Sequence, residues 1–381
     1  MYMRRCLQLA RCGRLGAAPN PMVGAVVVCD GRIIGEGYHR RCGEAHAEVN
    51  AIASVAEPRL LSRSTIYVSL EPCAHYGKTP PCAQLIIDKK IPTVVVGCRD
   101  PFARVDGRGI AMLREAGVEV REGVLEAECL WLNRRFITFH TLHRPYITLK
   151  WAQSEDGFID RRRTSAEEPP VHFSTPVTQA LVHQLRAENE AILVGRRTWE
   201  LDRPRLDVRL WHGRSPMAVV LSGGRGFVGC DNIATHGTEG GKGGTEGGKD
   251  GTRGRTGESE DKNQGETQGK TGGTEDKSQS RAEGKTGRTG QAEQGTRPVL
   301  WATGLQGLMD ELCRRGVQSL LVEGGAQTLQ SFIDSGLWDE ARIETAPLLL
   351  NDGIAAPRIE GEMVRTDEID GNIIRFIQKK S

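Results

Sequence analysis

Between Thr235 and Arg297 the chain carries only two apolar side chains, Ala282 and Ala292, in a background of Gly, Thr, Glu, Lys and Gln. Eleven Lys and Arg residues balance eleven Asp and Glu residues there, and fragments such as GGTEGGK recur without a strict period. A stretch with so little to bury cannot offset the entropy lost on ordering, so it is expected to be a disordered insert at 235–297. A tether or a partner-binding tail would use the same composition as an expanded surface loop. Whatever folds must be built from the residues on either side. At 381 residues the chain still has room for two domains, each with its own core.

Residues 1–143 alternate helical and extended patterns. Apolar positions Tyr2, Cys6 and Leu9 recur at helical spacing, and arginines interrupt the run, which argues for an amphipathic first helix over a signal segment. MVGAVVVC and GRIIGEGY read as a hairpin turned at Asp30-Gly31. A helix over EAHAEVNAIASVA, the strand TIYVSL, a helix from about Cys82 and the strand TVVVGC follow, then GIAMLREAG as helix and VEVREG as strand. Residues 144–381 give a second alternating set. PYITLKWA, AILVG, PMAVVLS, PVLWA, SLLVEGG and EARIETAPLLL are extended, and VTQALVHQLRAEN, LQGLMDELCRRG and AQTLQSFIDSG are helical. Ser174-Thr175-Pro176 supplies a cap followed by proline in the first turn. Both regions are expected to be α/β.

A formal net charge of +2 gives no electrostatic footprint for nucleic acid or an anionic membrane. No apolar run approaches the roughly 18–20 residues that span a bilayer. Ten irregularly spaced cysteines suit a reducing compartment better than a disulfide framework, so a cytoplasmic protein is expected.

The chemistry begins with EPCAHYGKTPPC, where Cys73 and Cys82 are separated by eight residues and each follows a proline. Upstream, EAHAEVNAI offers His46 and Glu48, which can converge on one ion only at the first turn of a helix. A thiol entering a helix at Pro81-Cys82 is favoured as thiolate by the positive helix end. One imidazole and two thiolates suit Zn²⁺, and three protein ligands leave a fourth position for water. A fourth ligand from Cys42, His39 or His75 would instead close the site into a structural one. H-x-E followed by P-C and a second cysteine is the signature of zinc deaminases, in which the glutamate carries protons.

PNPMVGAVVV, GEGYH, GEAHAEVNAI, YVSLEPCAHYGKTPPC and VGCRDPFARVDGRG, in that order, resemble the deaminase half of the bifunctional riboflavin-biosynthesis deaminase–reductases over nearly all of residues 1–130. That resemblance implies a cytidine-deaminase-like three-layer αβα domain. It also implies zinc-dependent hydrolytic deamination of a diamino-phosphoribosylamino-pyrimidinone, a small-molecule substrate. His46, Cys73 and Cys82 would be ligands and Glu48 the proton carrier. Asn20 and the loop Lys78-Thr79-Pro80 would position substrate.

The second region lacks G-x-G-x-x-G after a strand. Its local signal is Gly324-Gly325 between a strand and a helix, which can admit a pyrophosphate or simply make a tight turn. YITLKWAQSEDGFID, LRAENEAILVGRRTWELDRPRLDVR and LLVEGGAQTLQSFIDSGLWDE resemble the reductase half of the same family. This implies a dihydrofolate-reductase-like fold that uses NADPH. By that resemblance Ala152, Thr198, Asp202, Gly325, Ala326, Gln327, Thr328, Leu329, Gln330 and Ser331 would lie along the cofactor. Arg186, Leu206, Arg209 and Glu323 would contact substrate. Lys150 and Asp156 would position the ribose, and Arg196 and Arg197 stand near the cofactor's extra phosphate or in solvent. The sequence departs from the family pattern at 170–173, Arg203, Ser222 and Asn351. A homo-oligomer is implied, with no nucleic-acid or membrane partner. The resemblance implies a bifunctional enzyme that then reduces the ribosyl side chain to ribityl with NADPH; two alternatives stand beside it, a deaminase with a decayed reductase half and a zinc-stabilised interaction protein.

Overall fold

The computed structural model describes residues 1–76, 80–101, 107–223, 229–233 and 297–380. The expected insert therefore lies outside the described residues, apart from Arg297.

The first region builds a five-stranded sheet in the order β2-β1-β3-β4-β5. Helix α1 (Tyr2–Arg11) precedes the hairpin of β1 (Gly24–Cys29) and β2 (Arg32–Tyr38). The turn falls at Asp30 and Gly31, both with positive φ (48° and 74°), the type I′ geometry that matches strand twist. Helix α2 (Ala47–Ala53) leads to β3 (Thr65–Leu70), α3 (Cys82–Asp88), β4 (Thr93–Cys98), α4 (Arg108–Glu115) and β5 (Glu119–Arg121). β3, β4 and β5 run parallel, while β1 is antiparallel to both its neighbours. The all-apolar β1 is buried on both faces. Ala25 and Val27 join a core with Ala51, Ile86 and Leu113, whereas Val26 and Val28 join one with Leu7, Ala10 and Cys129. Helices therefore cover both sides, giving the expected three layers. Residues 126–142, whose pattern favours neither period, form α5 (Glu126–Leu132) and α6 (Arg134–Leu142), with α5 helping to close the second face.

The second region forms a nine-stranded sheet, β10-β11-β9-β8-β12-β6-β13-β16-β15. In chain order these elements are β6 (Tyr146–Ser154), the short β7 (Phe158–Asp160), α7 (Pro176–Ala187), β8 (Ala191–Gly195), α8 (Arg196–Asp202) and β9 (Met217–Ser222). Next come β10 (Gly229–Ile233), β11 (Arg297–Thr303), α9 (Leu305–Arg314), β12 (Ser319–Val322), α10 (Ala326–Asp334) and β13 (Glu340–Ala346). The chain ends with β14 (Ile354–Ala355) and the hairpin β15 (Glu362–Ile369) and β16 (Asn372–Gln378). The core strands β9, β8, β12, β6 and β13 are parallel throughout. β8 shows why: Ala191 and Leu193 pack with α9 and α10, while Ile192 and Val194 pack toward α7 and α8, so the strand is apolar on both faces. α7 begins as expected, with Thr175 as cap, Pro176 in the first turn and a reciprocal bond to Thr178. Among the described residues no helix is long and apolar enough to cross a membrane.

Candidate functional site

The first site forms at the carboxyl ends of β3 and β4. His46 is the N-cap of α2 with extended backbone (φ −69°, ψ 166°), and Glu48 follows in the first turn, so one helix end presents both. Gly37 on β2 allows that approach, because a Cβ there would meet Ala51 N at 2.4 Å and Ala47 O at 2.7 Å. Cys82 opens α3 after Pro81, and its backbone N–H donates to the Cys73 Sγ at 3.3 Å.

His46 Nδ1 lies 3.6 Å from the Cys73 Sγ and 3.3 Å from the Cys82 Sγ, and the three atoms lie within 4.8 Å of one another. Tetrahedral zinc with normal bond lengths needs about 3.5 Å between nitrogen and sulfur and about 3.8 Å between sulfurs, so this donor set fits the ion. Among the described residues no fourth ligand joins them. His39 is engaged elsewhere, its Nε2 3.0 Å from Asn20 Nδ2 and its Nδ1 3.1 Å from the Ala45 carbonyl.

Of the two thiols only Cys73 is held as thiolate: the hydrogen bond to Cys73 and burial push the Cys82 thiol well above its ordinary value, contrary to the expectation that the helix entry at Pro81-Cys82 favours a thiolate there. A hydrogen bond from the Cys82 thiol, aided by the His46 ring, outweighs burial and holds the Cys73 thiol down to about 4. His46 in turn is raised to about 9 by its hydrogen bond to Cys73. Burial pushes the Glu48 carboxyl up to about 7, with the Cys73 charge adding to it. Glu48 is 3% exposed. A carboxyl near neutrality can both accept and return a proton.

One supporting residue carried no signal in the sequence reading. Glu71, buried beside Cys73, accepts from the amides of Gly107 (3.0 Å), Gly109 (2.9 Å) and Ile110 (3.2 Å) and so caps α4. Gly109 is required by this packing: a Cβ would stand 1.9 Å from the Pro72 carbonyl. Gly109→Ala is expected to push Pro72 and thereby Cys73 out of place, destabilising the fold by about 1–3 kcal/mol. The zinc should then be lost to a chelator at lower concentration than in the parent protein. Lys78 and Thr79 lie outside the described residues.

The second site is a cavity of about 1220 Å³ at the carboxyl ends of the parallel strands. Of the residues singled out above, Ala152, Arg186, Thr198, Asp202, Arg209 and Glu323 line it. So do Gly325, Ala326, Gln327, Thr328, Leu329 and Ser331. Leu206 and Gln330 do not. Leu206 is buried in the core at 1% exposed, and Gln330 bonds Asp334 and Arg358 on the outer side of α10. Asp156 lies outside the lining too, holding the amides of Leu350 (3.2 Å) and Asn351 (2.7 Å).

Arg186 and Glu323 form a two-pronged ion pair (2.8 and 2.6 Å) with both side chains largely buried. Burial pushes the Glu323 carboxyl up, but the Arg186 charge outweighs it and holds the group below its usual range. Lys150 lines the same cavity, and burial lowers its amine against the pull of Glu323 and Glu344.

The sequence reading missed Arg163. At 7% exposed it joins Asp160 (2.7 Å) to Asp202 (2.5 Å) and fixes the Asp202 carboxylate at the cavity wall. Gly324 and Gly325 make the turn between β12 and α10. Gly324 has φ +128°, and Gly325 caps α10 with no side chain over its first-turn amides. Gly325 N donates to Thr198 Oγ1 at 3.0 Å. An open helix end and glycine backbone fit a dinucleotide's pyrophosphate, while Arg196 and Arg197 on the lining are exposed, Arg196 paired with Glu200 at 2.8 Å and Arg197 donating to the Arg163 carbonyl at 3.1 Å. One departure from the family pattern is explained here: Asn351 takes a left-handed φ of 63°, which asparagine tolerates; Pro170 and His172 line the cavity without a structural explanation for the change.

Comparison with known proteins follows the same division. The family described as the cytidine and deoxycytidylate deaminase zinc-binding region matches residues 1–98, and the RibD C-terminal domain matches 145–225 and 274–377. The riboflavin biosynthesis protein RibD of Aquifex aeolicus is 33% identical over 356 residues, covering 93% of this chain and 88% of that protein. That of Bacillus amyloliquefaciens is 35% identical over 366 residues, covering 95% and 88%. Among solved structures, RibD of Acinetobacter baumannii superposes with a TM-score of 0.74 at 26% identity, covering 100% of this chain and 98% of the other. A diaminohydroxyphosphoribosylaminopyrimidine deaminase/5-amino-6-(5-phosphoribosylamino)uracil reductase of Thermotoga maritima gives 0.73 at 30%, with the same coverage. With relatives above 30% identity aligned over nine-tenths of its length, this chain belongs to the RibD family of bifunctional deaminase–reductases of riboflavin biosynthesis.

Proposed function

We propose that residues 1–143 deaminate 2,5-diamino-6-(5-phosphoribosylamino)pyrimidin-4-one and that residues 144–381 then reduce its ribosyl group to ribityl. The convergence of His46, Cys73 and Cys82 beside the buried Glu48 carries the first half of this reading. These three residues hold the metal, and zinc bound there supplies a Lewis acid that acidifies water to a pKa of about 7. The Glu48 carboxylate takes a proton from the attacking water and returns it to the departing amine nitrogen. Burial keeps that carboxyl near neutrality, where both transfers are downhill enough to be fast.

In the second cavity NADPH, when bound, supplies a hydride to the opened sugar. The first-turn amides of α10, with Gly324 and Gly325, receive its pyrophosphate. Arg186, fixed by Glu323, offers its remaining donors to the substrate's polar groups, and Arg209 stands on the same wall for its phosphate. Lys150 orients the ribose hydroxyls. Orientation of a flexible sugar accounts for most of what such a site must supply.

The reading also places the protein in the cytoplasm, consistent with nine described cysteines that are all free. It makes the protein a homo-oligomer, consistent with exposed Met363 and Val364 on the edge strand β15.

The test supplies the purified chain with the diamino ribotide, with and without NADPH, and follows ammonia and nicotinamide absorbance together. Ammonia in both cases, with NADPH oxidised afterwards, is expected. After chelation, ammonia release should cease, while NADPH oxidation should persist when the deaminated ribotide is supplied directly. Ammonia without any NADPH oxidation would mean that the second half is a decayed reductase.

A further inference from the structure

Apart from both sites there is a second cavity of about 600 Å³, bounded by residues from both halves of the chain. Arg14, Arg134 and Arg135 reach it from the first 143 residues, and Arg342 on β13 and Arg365 on β15 reach it from the second sheet. The carboxylates on its wall are Glu188, Glu340 and Asp367, so five cations face three anions there. Leu181, Leu185 and Ile374 give it an apolar side.

The excess charge is concentrated where it is most expensive. Among the described residues Arg342, 8% exposed, donates only from Nη1 to the Leu181 carbonyl at 3.3 Å, and its enclosed Nε has no partner. Its neighbours along β13 on the same sheet face are Glu340 and Glu344, and both are committed elsewhere. Glu340 takes bonds from Arg134 (3.2 Å), Tyr146 (3.0 Å) and Thr148 (3.0 Å). Glu344 takes them from Ser174 (2.8 Å) and Asn372 (2.7 Å). Arg135 repeats the pattern: its Nη1 donates to the Glu188 backbone carbonyl and its Nε is enclosed without a partner. Among the described residues neither guanidinium is paired with a carboxylate. A buried cation without an ion pair destabilises a fold unless an anion joins it.

We propose that this cavity binds a small organic phosphate ester, with Arg342 and Arg135 as the groups that hold its phosphate. The two-charge excess of the wall matches a phosphomonoester near its second ionisation. Planar guanidinium forks suit phosphate oxygens, the apolar side suits the ester's carbon skeleton, and the volume lies within the range of small-molecule pockets. Because the cavity takes walls from both halves, the ligand would brace one against the other.

The probe is phenyl phosphate, titrated by calorimetry into the full-length zinc-loaded chain in phosphate-free buffer. Wild type should bind with a component that Arg342→Met weakens at least tenfold, while ammonia release and NADPH oxidation measured without the probe stay unchanged. In phosphate-free buffer Arg342→Met should also melt at a higher temperature than wild type, because an uncompensated buried charge has been removed. A merely structural arginine would give the opposite sign. Identical isotherms for wild type and variant would overturn the proposal. So would loss of the oligomer on sedimentation with an unaltered isotherm, since a second copy would then fill the cavity. If Arg342→Met does not fold, Arg342→Lys carries the test, with weaker binding at unchanged activity supporting the proposal and an unaltered isotherm overturning it.

Discussion

Glu48→Gln is expected to reduce ammonia release roughly a hundred- to ten-thousandfold while the chain keeps its zinc. Glutamine preserves the shape of a side chain that is 3% exposed but can neither take nor return a proton. Because Glu48 is buried at the first turn of α2, the substitution also removes a carboxyl whose ionisation burial resists, so the fold should not suffer. The measurement is zinc content beside ammonia release from the diamino ribotide. Loss of metal in the variant would make Glu48 a ligand and overturn its assignment as proton carrier. Full activity with zinc retained would turn attention away from the site altogether. NADPH oxidation with deaminated ribotide supplied directly should be unchanged, which separates the two halves in one variant.

The second large effect is expected from Arg186→Met. It leaves the Glu323 carboxylate buried without its two-pronged partner, a change that costs about 3–5 kcal/mol. The melting temperature should fall accordingly, and NADPH oxidation should cease while ammonia release survives below the new midpoint. Pairing Arg186→Met with Glu323→Gln removes the stranded charge and should recover most of the stability without recovering reduction. A double variant that oxidises NADPH normally would show that the pair only holds the fold. The pH dependence follows from the same geometry. Glu323 is held below its usual range in the folded chain, so the stability it contributes is present above the unfolded value of about 4.3. That contribution is lost as pH falls through the lower folded value. Acid melting curves of the double variant should therefore be flatter in that window than those of the parent.

The local code for the zinc site was legible because helix entry is a local event. Pro81 before Cys82 and the spacing of His46 and Glu48 define where each helix begins, and the structure starts α2 and α3 at those points. The alternation of strands and helices was legible for the same reason, since runs such as GAVVVC and AILVG are apolar at every position and must be covered on both faces. The weaker patterns were missed. α5, α6 and the hairpin β15–β16 carry mixed faces, and β15 is exposed along most of its length, so its hydropathy gives little to read. Glu71 gave no signal, because what it holds is the start of α4, more than thirty residues away in sequence.

What the sequence alone determined was therefore chemistry and local shape: which side chains could hold zinc, where helices start, and that two α/β regions flank a segment unable to bury itself. What only the tertiary structure decided was which charges meet. Arg163 between Asp160 and Asp202, Arg186 of α7 against Glu323 just past β12, and Arg342 left with an enclosed, unpaired Nε among the described residues are products of how helices and loops pack on the ordered sheet. Arg163 and Asp202 are 39 positions apart, and Arg186 and Glu323 are 137 apart. Pairing at that distance depends on the packing of the whole sheet and leaves no periodic trace in the chain.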